Sequence, residues 1–304
     1  AVASSTQTSL VPTPHYLEEC ESIPLGPDWA LRGKSRAHVQ TGLLLEARVN
    51  GRPARLVVDA GVPASEQVDG VFLSTCLPDR ACHLHNLARA TTRILLPEQD
   101  LLRAQTWLGD EGECELETVA AGSTTPFPGV PGLNIETFAC GEDAVGYGFS
   151  HTSTKIKDEY RCETCRGQGK PCRCVNRTCA ASGDCCCHKR ILTAVRARKK
   201  ITIKETEHEV IFISNATPSV LAEQESVWKK YKTVVCECTG FPRFQPSPRD
   251  MNGRTHLTNI VNTIVKNKDK RWVLFHASNA VPEHNLRMLQ RNFMKNNMHI
   301  FVLV

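Results

Sequence analysis

The chain has 304 residues, of which 41% are hydrophobic, and this is enough apolar material for one large core or two modest ones. Such a content argues against an intrinsically disordered chain, and every apolar run falls far short of the roughly 20 residues of a membrane-spanning helix. We therefore expect a folded, soluble protein with no membrane partner. Its net charge of +5 is unevenly distributed along the chain.

The N-terminal region, residues 1–28, is rich in proline, serine and threonine and shows little periodicity. We predict an extension there that wraps onto another surface or is held by a partner. The first ten residues are small, hydroxyl-rich and free of acids, which is typical of the remnant of an organelle transit segment, although an arbitrary boundary of the sequence explains them equally well. On this basis we expect a mitochondrial protein, with another intracellular compartment as the alternative.

A run of strands and helices follows this extension. Apolar stretches over 41–50 and 52–61 flank Asn50-Gly51, a dipeptide typical of a tight hairpin turn, so we predict two antiparallel strands. Periodicity and length predict the next elements. They are a strand over 68–75, a helix over 82–90, a strand over 92–97, a helix over 98–109, and strands over 113–120, 132–140 and 145–151.

The last third of the chain alternates between strands and helices. The predicted elements are a hairpin-like pair of strands over 201–214, helices over 220–231, 257–266 and 283–294, and strands over 233–238, 271–278 and 299–304. Hairpin-connected strands followed by strand–helix alternation indicate an α/β protein, in which two sheets pack face to face with helices outside.

The segment from Lys155 to Lys204 carries 14 lysines and arginines against four acids, so it is strongly basic while the rest of the chain is acidic. Such asymmetry is typical of a phosphate-binding surface, although a solvated loop is the simpler alternative. We predict RNA binding by this segment. The expected contact residues are Arg166, Lys170, Arg173, Arg177, Lys189, Arg190, Arg196, Arg198, Lys199 and Lys200.

Eight of the 15 cysteines lie between Cys162 and Cys187 at short spacings. Thiolates at such spacings suit tetrahedral zinc, which can fold a segment that has almost no apolar core of its own. Disulfides are the alternative, but adjacent cysteines are hard to pair with one another. We predict one or two structural zinc ions, with the ligands drawn from Cys162, Cys165, Cys172, Cys174, Cys179, Cys185, Cys186, Cys187 and His188.

Four local motifs occur in a fixed order along the chain: RLVVDAG with VDGVFLST, VGYGFS with TKIKDEY, VVCECTGF with NGRTHL, and WVLFHAS. In content and order they resemble ribonuclease Z, the tRNA 3′-end endonuclease of the metallo-β-lactamase superfamily, above all its short form. The resemblance covers about Trp29 to Val304. It implies a metallo-β-lactamase αβ/βα four-layer sandwich over 29–304, with 155–204 inserted as a Cys-rich basic arm.

Ribonuclease Z holds a pair of zinc ions through histidines and carboxylates, and the ions generate the attacking hydroxide. The resemblance assigns seven positions of this chain to the metal ligands, and five carry other residues. The seven are Thr75, Leu77, Asp79, Arg80, Cys140, Ala216 and His276. Only Asp79 and His276 keep their identity, while Cys140 is chemically able to ligate. The resemblance therefore predicts no catalytic metal pair.

Arg80 would place a permanent cation beside an incoming metal ion. We expect it to form a local ion pair with an aspartate such as Asp79, and the alternative is that it replaces the lost metal charge or grips a phosphate. Glu237 and His256 stand where the family has its general-acid region. Without a metal hydroxide this pair has no nucleophile to serve, so we interpret it as inherited structure. His83 and His85 lack the neighbouring ligands that would restore a metal site.

These features predict a pseudoenzyme that acts as an RNA-binding or structural component of a ribonucleoprotein, with a mitochondrial ribosome as one candidate. Its partners would be rRNA or tRNA and the protein subunits of that particle. Two alternatives remain open. In the first, the chain would be an active metal-dependent endonuclease with an atypical site built on Asp79, Cys140 and His276. In the second, it would be the inactive subunit of a homo- or heterodimer with an active ribonuclease Z.

Overall fold

A computed structural model describes residues 16–91, 93–109, 114–141, 143–160, 191, 193–241, 255–295 and 299–303. The chain divides into a larger unit, formed by 1–150 and 208–304, and a smaller unit, 151–207. No helix in the described part of the chain is long and apolar enough to cross a membrane.

The first sheet of the larger unit contains seven strands in sequence order. They are β1 (Ile23–Pro24), β2 (Trp29–Arg36), β3 (Gln40–Val49), β4 (Arg52–Ala60), β5 (Gly70–Phe72), β6 (Arg93–Pro97) and β7 (Glu115–Val119). The first four strands pair antiparallel, and β4 to β7 pair parallel. Helices connect the parallel strands, namely α1 (Pro78–Ala81), α2 (Leu84–Ala90) and α3 (Leu101–Leu108).

The predicted hairpin between β3 and β4 is confirmed, and Asn50-Gly51 forms its turn. Both residues have positive φ, 51° at Asn50 and 82° at Gly51, as a two-residue turn that matches the twist of the strands requires. The register runs from Val49 opposite Arg52 to Leu43 opposite Val58, and a bulge then places Gly42 opposite Ala60.

The second sheet has the strand order β14-β13-β12-β11-β10-β9-β8. Its strands are β8 (Thr124–Pro126), β9 (Leu133–Ala139), β10 (Val145–Ile156), β11 (Thr202–Ile213), β12 (Thr233–Glu237), β13 (Arg271–Phe275) and β14 (Ile300–Val302). Strands β11 to β14 pair parallel. The helices described between them are α4 (Pro218–Glu223), α5 (Glu225–Trp228), α6 (Leu257–Lys266) and α7 (Glu283–Lys295).

Side-chain alternation along the strands sorts the core into three apolar layers. Leu43 of β3 and Val235 of β12 lie in the layer between the two sheets, which also contains Phe72, Tyr147, Phe149 and Phe212. Leu44, one residue along β3, packs in the layer that includes residues of α2 and α3. Val234 packs in the layer that includes residues of α6 and α7. The larger unit is therefore a helix–sheet–sheet–helix sandwich.

Two predicted elements differ from the structure. Residues 201–214 do not form a hairpin-like pair, because β11 runs unbroken over Thr202–Ile213. The polar stretch KETEHE inside it contains no Gly, Pro, Asn or Asp that could form a turn. The helix predicted over 220–231 is divided at Gln224 into α4 and α5. There the Leu221 carbonyl accepts a hydrogen bond from the Trp228 indole at 2.8 Å.

The predicted N-terminal extension contributes to the folded unit in its second half. Leu17 is fully buried in the layer beside α2, and Ile23 and Leu25 are buried in the layer between the sheets. Residues 16–28 therefore pack on this chain's own body, and residues 1–15 lie outside the described part of the structure.

Candidate functional site

A cluster of buried polar side chains lies where the carboxyl ends of strands from both sheets meet. Asp59 is at the end of β4 and Glu237 is the last residue of β12. His276 follows β13 directly, and Arg80 lies on the short helix α1. Asp59 and His276 are fully buried, and the other two are almost so. Strand ends of α/β sheets are a common location for functional sites, and these four residues define the candidate site.

Arg80 is at the centre of this cluster, with a side chain only 3% exposed. Its Nη2 donates to Glu237 Oε2 at 2.6 Å. Its Nη1 donates to Ser74 Oγ at 2.7 Å and approaches Asp59 Oδ2 at 3.4 Å. Burial disfavours the charged guanidinium, but the carboxylates of Glu237, Asp59 and Asp79 together raise the pKa of Arg80. The side chain is therefore a permanent buried cation.

Asp59 is held by the chain segment that follows β5. Its Oδ1 accepts hydrogen bonds from both the backbone nitrogen and the hydroxyl of Ser74, each at 2.8 Å. Burial raises the pKa of Asp59 to about 6, although Arg80 and the hydrogen bonds from Ser74 oppose this rise. Sequence reasoning did not select Asp59, and the available signal was a lone acid at the end of the apolar strand RLVVDA.

The imidazole of His276 is fixed from two sides. Its Nδ1 lies 2.9 Å from the hydroxyl of Thr41, which in turn lies 3.0 Å from that of Ser35. Its Nε2 lies 3.5 Å from Asp79 Oδ2 and 3.8 Å from Glu237 Oε1. The ring is therefore oriented towards the two carboxylates.

The backbone of the site adopts unusual conformations. Asp59, Asn215 and His276 have φ of 60°, 50° and 69°, and His38, whose backbone nitrogen donates to Asp79 Oδ2 at 3.1 Å, has φ of 59°. Such left-handed conformations are uncommon outside glycine and cluster at functional sites. At Asn215 the conformation accompanies a 2.8 Å hydrogen bond from its backbone nitrogen to Glu237 Oε2.

The predicted ion pair between Arg80 and an aspartate is present, but the aspartate is Asp59 and not Asp79, and Glu237 is a second partner. Asp79 instead accepts from the backbone of His38 and lies beside His276. The reason is geometric: consecutive residues on a helix point about 100° apart, so Asp79 and Arg80 reach different sides of the cleft between the strand ends of the two sheets.

The residues present do not fit a metal pair. Leu77 and Ala216 offer no side-chain donor atom, and the guanidinium of Arg80 already neutralises the carboxylates beside it. Burial raises the pKa of the Cys140 thiol well above its usual value, so the thiolate needed for ligation is disfavoured. Asp79, Cys140 and His276, all within the described part, do not bring their donor atoms within 4.8 Å of one another as a three-ligand group.

The other predicted polar pair is divided between two structural roles. Glu237 faces Arg80, whereas His256 is the N-cap of α6 and its Nδ1 accepts a hydrogen bond from the backbone nitrogen of Thr258 at 3.2 Å. The rings of His83 and His85 lie 6.4 Å apart at the start of α2.

The predicted zinc ligands, Cys162 to His188, lie outside the described residues, as do Arg166, Lys170, Arg173, Arg177, Lys189 and Arg190. The remaining predicted RNA contacts belong to the smaller unit and are exposed, namely Arg196, Arg198, Lys199 and Lys200. In the same unit Lys155 pairs with Glu205 at 2.9 Å and with Glu207 at 2.6 Å. The basic stretch 196–200 thus presents four charges to solvent.

No family model matches the chain, and no curated protein sequence matches it. Among solved structures, the metallo-β-lactamase fold protein YhfI from Bacillus subtilis aligns over 90% of this chain and 95% of its own, with a TM-score of 0.50 and 11% identity. Yeast PDE1 aligns over 89% of this chain and 94% of its own, with a TM-score of 0.49 and 9% identity. An isothiocyanate hydrolase from Delia radicum gut bacteria aligns over 90% of this chain and 95% of its own, with a TM-score of 0.47 and 11% identity.

The predicted fold class is confirmed: the chain has the metallo-β-lactamase fold, an α/β four-layer sandwich. Identity this low carries the fold alone, because proteins that share this fold perform unrelated reactions.

Proposed function

We propose that this chain is a non-catalytic protein of the ribonuclease Z type that serves as an RNA-binding or structural component of a ribonucleoprotein. The observation that carries the proposal is the guanidinium of Arg80, buried between Asp59 and Glu237. A metal-dependent nuclease of this fold needs cations that bind and activate water at this cleft. Arginine supplies the charge without a free coordination position for water.

The basic segment 155–204 supports RNA as the partner. It carries 14 lysines and arginines against four acids, and Arg196, Arg198, Lys199 and Lys200 are exposed. None of these four forms a salt bridge with another described residue, so their charges are open to phosphates. Zinc bound by the cysteines of 162–187 would hold the neighbouring basic side chains on a rigid loop and lower the ordering cost of binding.

A larger particle is the expected host, because the rest of the chain is acidic and would contact protein subunits more readily than RNA. A mitochondrial ribosome is one candidate for that host. The sandwich would then serve as a rigid body that carries the basic arm.

The test compares two variants of the full chain that remove the same charge. One replaces Arg196, Arg198, Lys199 and Lys200 with serine. The matched control replaces four exposed basic residues of the larger unit with serine, namely Lys266, Lys268, Arg291 and Lys295. Binding of tRNA and of single-stranded rRNA fragments is measured across a salt series.

We expect the arm variant to bind more weakly and its plot of log affinity against log salt to become less steep by about 3, since four phosphate contacts each contribute roughly 0.7 for single strands. The control should keep most of the slope, and affinity should depend little on sequence. An unchanged slope in the arm variant, or an equal loss in both variants, would contradict the proposal.

A further inference from the structure

Arg80 joins the two sheets at one point. On the side of the first sheet, Nη1 contacts Ser74 Oγ and Asp59. On the side of the second sheet, Nη2 contacts Glu237 at the end of β12. One side chain therefore links the end of β4 to the end of β12. These strands belong to different sheets, and the two sheets pack face to face. All of these residues belong to the larger unit.

The cleft also concentrates negative charge. Asp59, Asp79 and Glu237 are all buried, and each would be costly to keep ionised without a cation nearby. Arg80 contributes a full positive charge within 3.4 Å of two of them. His276 lies beside the third, with its Nε2 3.5 Å from Asp79. The buried carboxylates of the site therefore each have a basic side chain beside them.

We infer that the guanidinium of Arg80 is the resident cation of this cleft, a covalently tethered charge that holds the two sheets together in place of a bound metal ion. The inference goes beyond the proposed function, because it concerns how the sandwich is closed and holds whether or not the chain binds RNA. It gives Arg80, Asp59 and Glu237 a structural role that nothing in the resemblance assigns to them.

The first measurement is the thermal unfolding of Arg80→Met against a matched control. Arg55 is suitable because it also pairs with two carboxylates, Glu18 and Glu66, but it lies nearer the surface with a side chain 19% exposed. Arg80→Met should lower the melting temperature by about 5–10 °C, because removing one partner leaves buried carboxylates uncompensated. Arg55→Met should lower it far less, since pairs near solvent contribute little.

The second measurement separates charge from packing. In the Arg80→Met background, Asp59→Asn and Glu237→Gln remove the two carboxylates while keeping their shapes. Recovery of at least half of the lost melting temperature supports the inference, because the neutral cleft no longer needs a cation. The inference is overturned if the combined variant has a melting temperature as low as that of Arg80→Met. It is also overturned if Arg80→Met and Arg55→Met have the same melting temperature.

A third variant decides the case in which Arg80→Met does not fold. Arg80→Lys keeps the positive charge on a side chain of similar length, although it loses the forked hydrogen bonds. Far-UV circular dichroism and size-exclusion chromatography of the purified full chain give the readout. A folded lysine variant beside an unfolded methionine variant supports the resident cation, and failure of both to fold overturns it.

Discussion

Gly61 lies where the chain leaves β4 and passes between β3 and α1, and we predict that alanine cannot replace it without moving the site. A Cβ atom there would lie 2.1 Å from the carbonyl oxygen of Asp79 and 2.4 and 2.6 Å from the backbone nitrogen and oxygen of Thr41. All three are backbone atoms, so no side chain can rotate away to make room. The helix that carries Arg80 must then separate from β3.

The size of the effect follows from these distances. Ordinary contact begins at 3.4 Å, so the new Cβ atom would have to move away from α1 by about 1.3 Å and away from β3 by about 1 Å. The 2.8 Å hydrogen bond from the Gly61 nitrogen to the Thr41 carbonyl would be weakened or lost, which costs about 1 kcal/mol. Overpacking adds roughly 1–3 kcal/mol. A total of roughly 2–4 kcal/mol corresponds to a fall in melting temperature of about 4–8 °C.

The assay is thermal unfolding followed by far-UV circular dichroism, with Gly26→Ala as the control. A Cβ at Gly26 meets no atom within 4 Å, so that change should stay within about 0.5 kcal/mol of the parent. If Gly61→Ala and Gly26→Ala have the same melting temperature, then α1 does not lie as close to β3 as described. The position of Arg80 in the cleft would then have to be revised.

Three further predictions concern catalysis, zinc and pH. The chain should not cleave precursor tRNA with Mg²⁺, Mn²⁺ or Zn²⁺, and cleavage that disappears in Asp79→Ala would contradict the non-catalytic proposal. Metal analysis should find one or two zinc ions that are lost when the cysteines of 162–187 are replaced by serine, whereas intact disulfides and no metal would refute the zinc prediction. The pKa of Asp59 is raised by burial from 3.8 to about 6, so the native state keeps a proton that the unfolded state releases. The free energy of unfolding gained from that proton is full below about pH 4 and is lost as pH rises through 6, a change of about 3 kcal/mol. Urea unfolding across this pH range should detect the change in the parent but not in Asp59→Asn.

Local patterns in the sequence were sufficient for most elements of the sandwich. The hairpin at Asn50-Gly51 and the helix α6 over Leu257–Lys266 have the positions that turn chemistry and apolar periodicity predict. Both signals depend on residues that are near one another in the chain. The strand β2 carried no turn signal, because its turn to β3 is formed by His38 in a left-handed conformation and contains no Asn-Gly or similar dipeptide.

The sequence also shows which of the predicted ligand positions can bind a metal ion, since the side chain of an alanine or a leucine has no ligating atom in any fold. The sequence by itself thus determined the layered α/β architecture and the loss of most ligands. It did not determine which carboxylates Arg80 meets. Asp59 is 21 residues away and Glu237 is 157 residues away, and they are brought together only when the two sheets pack face to face. Tertiary structure alone decided this pairing, because the contact depends on how strand ends from separate sheets meet and no local periodicity records it.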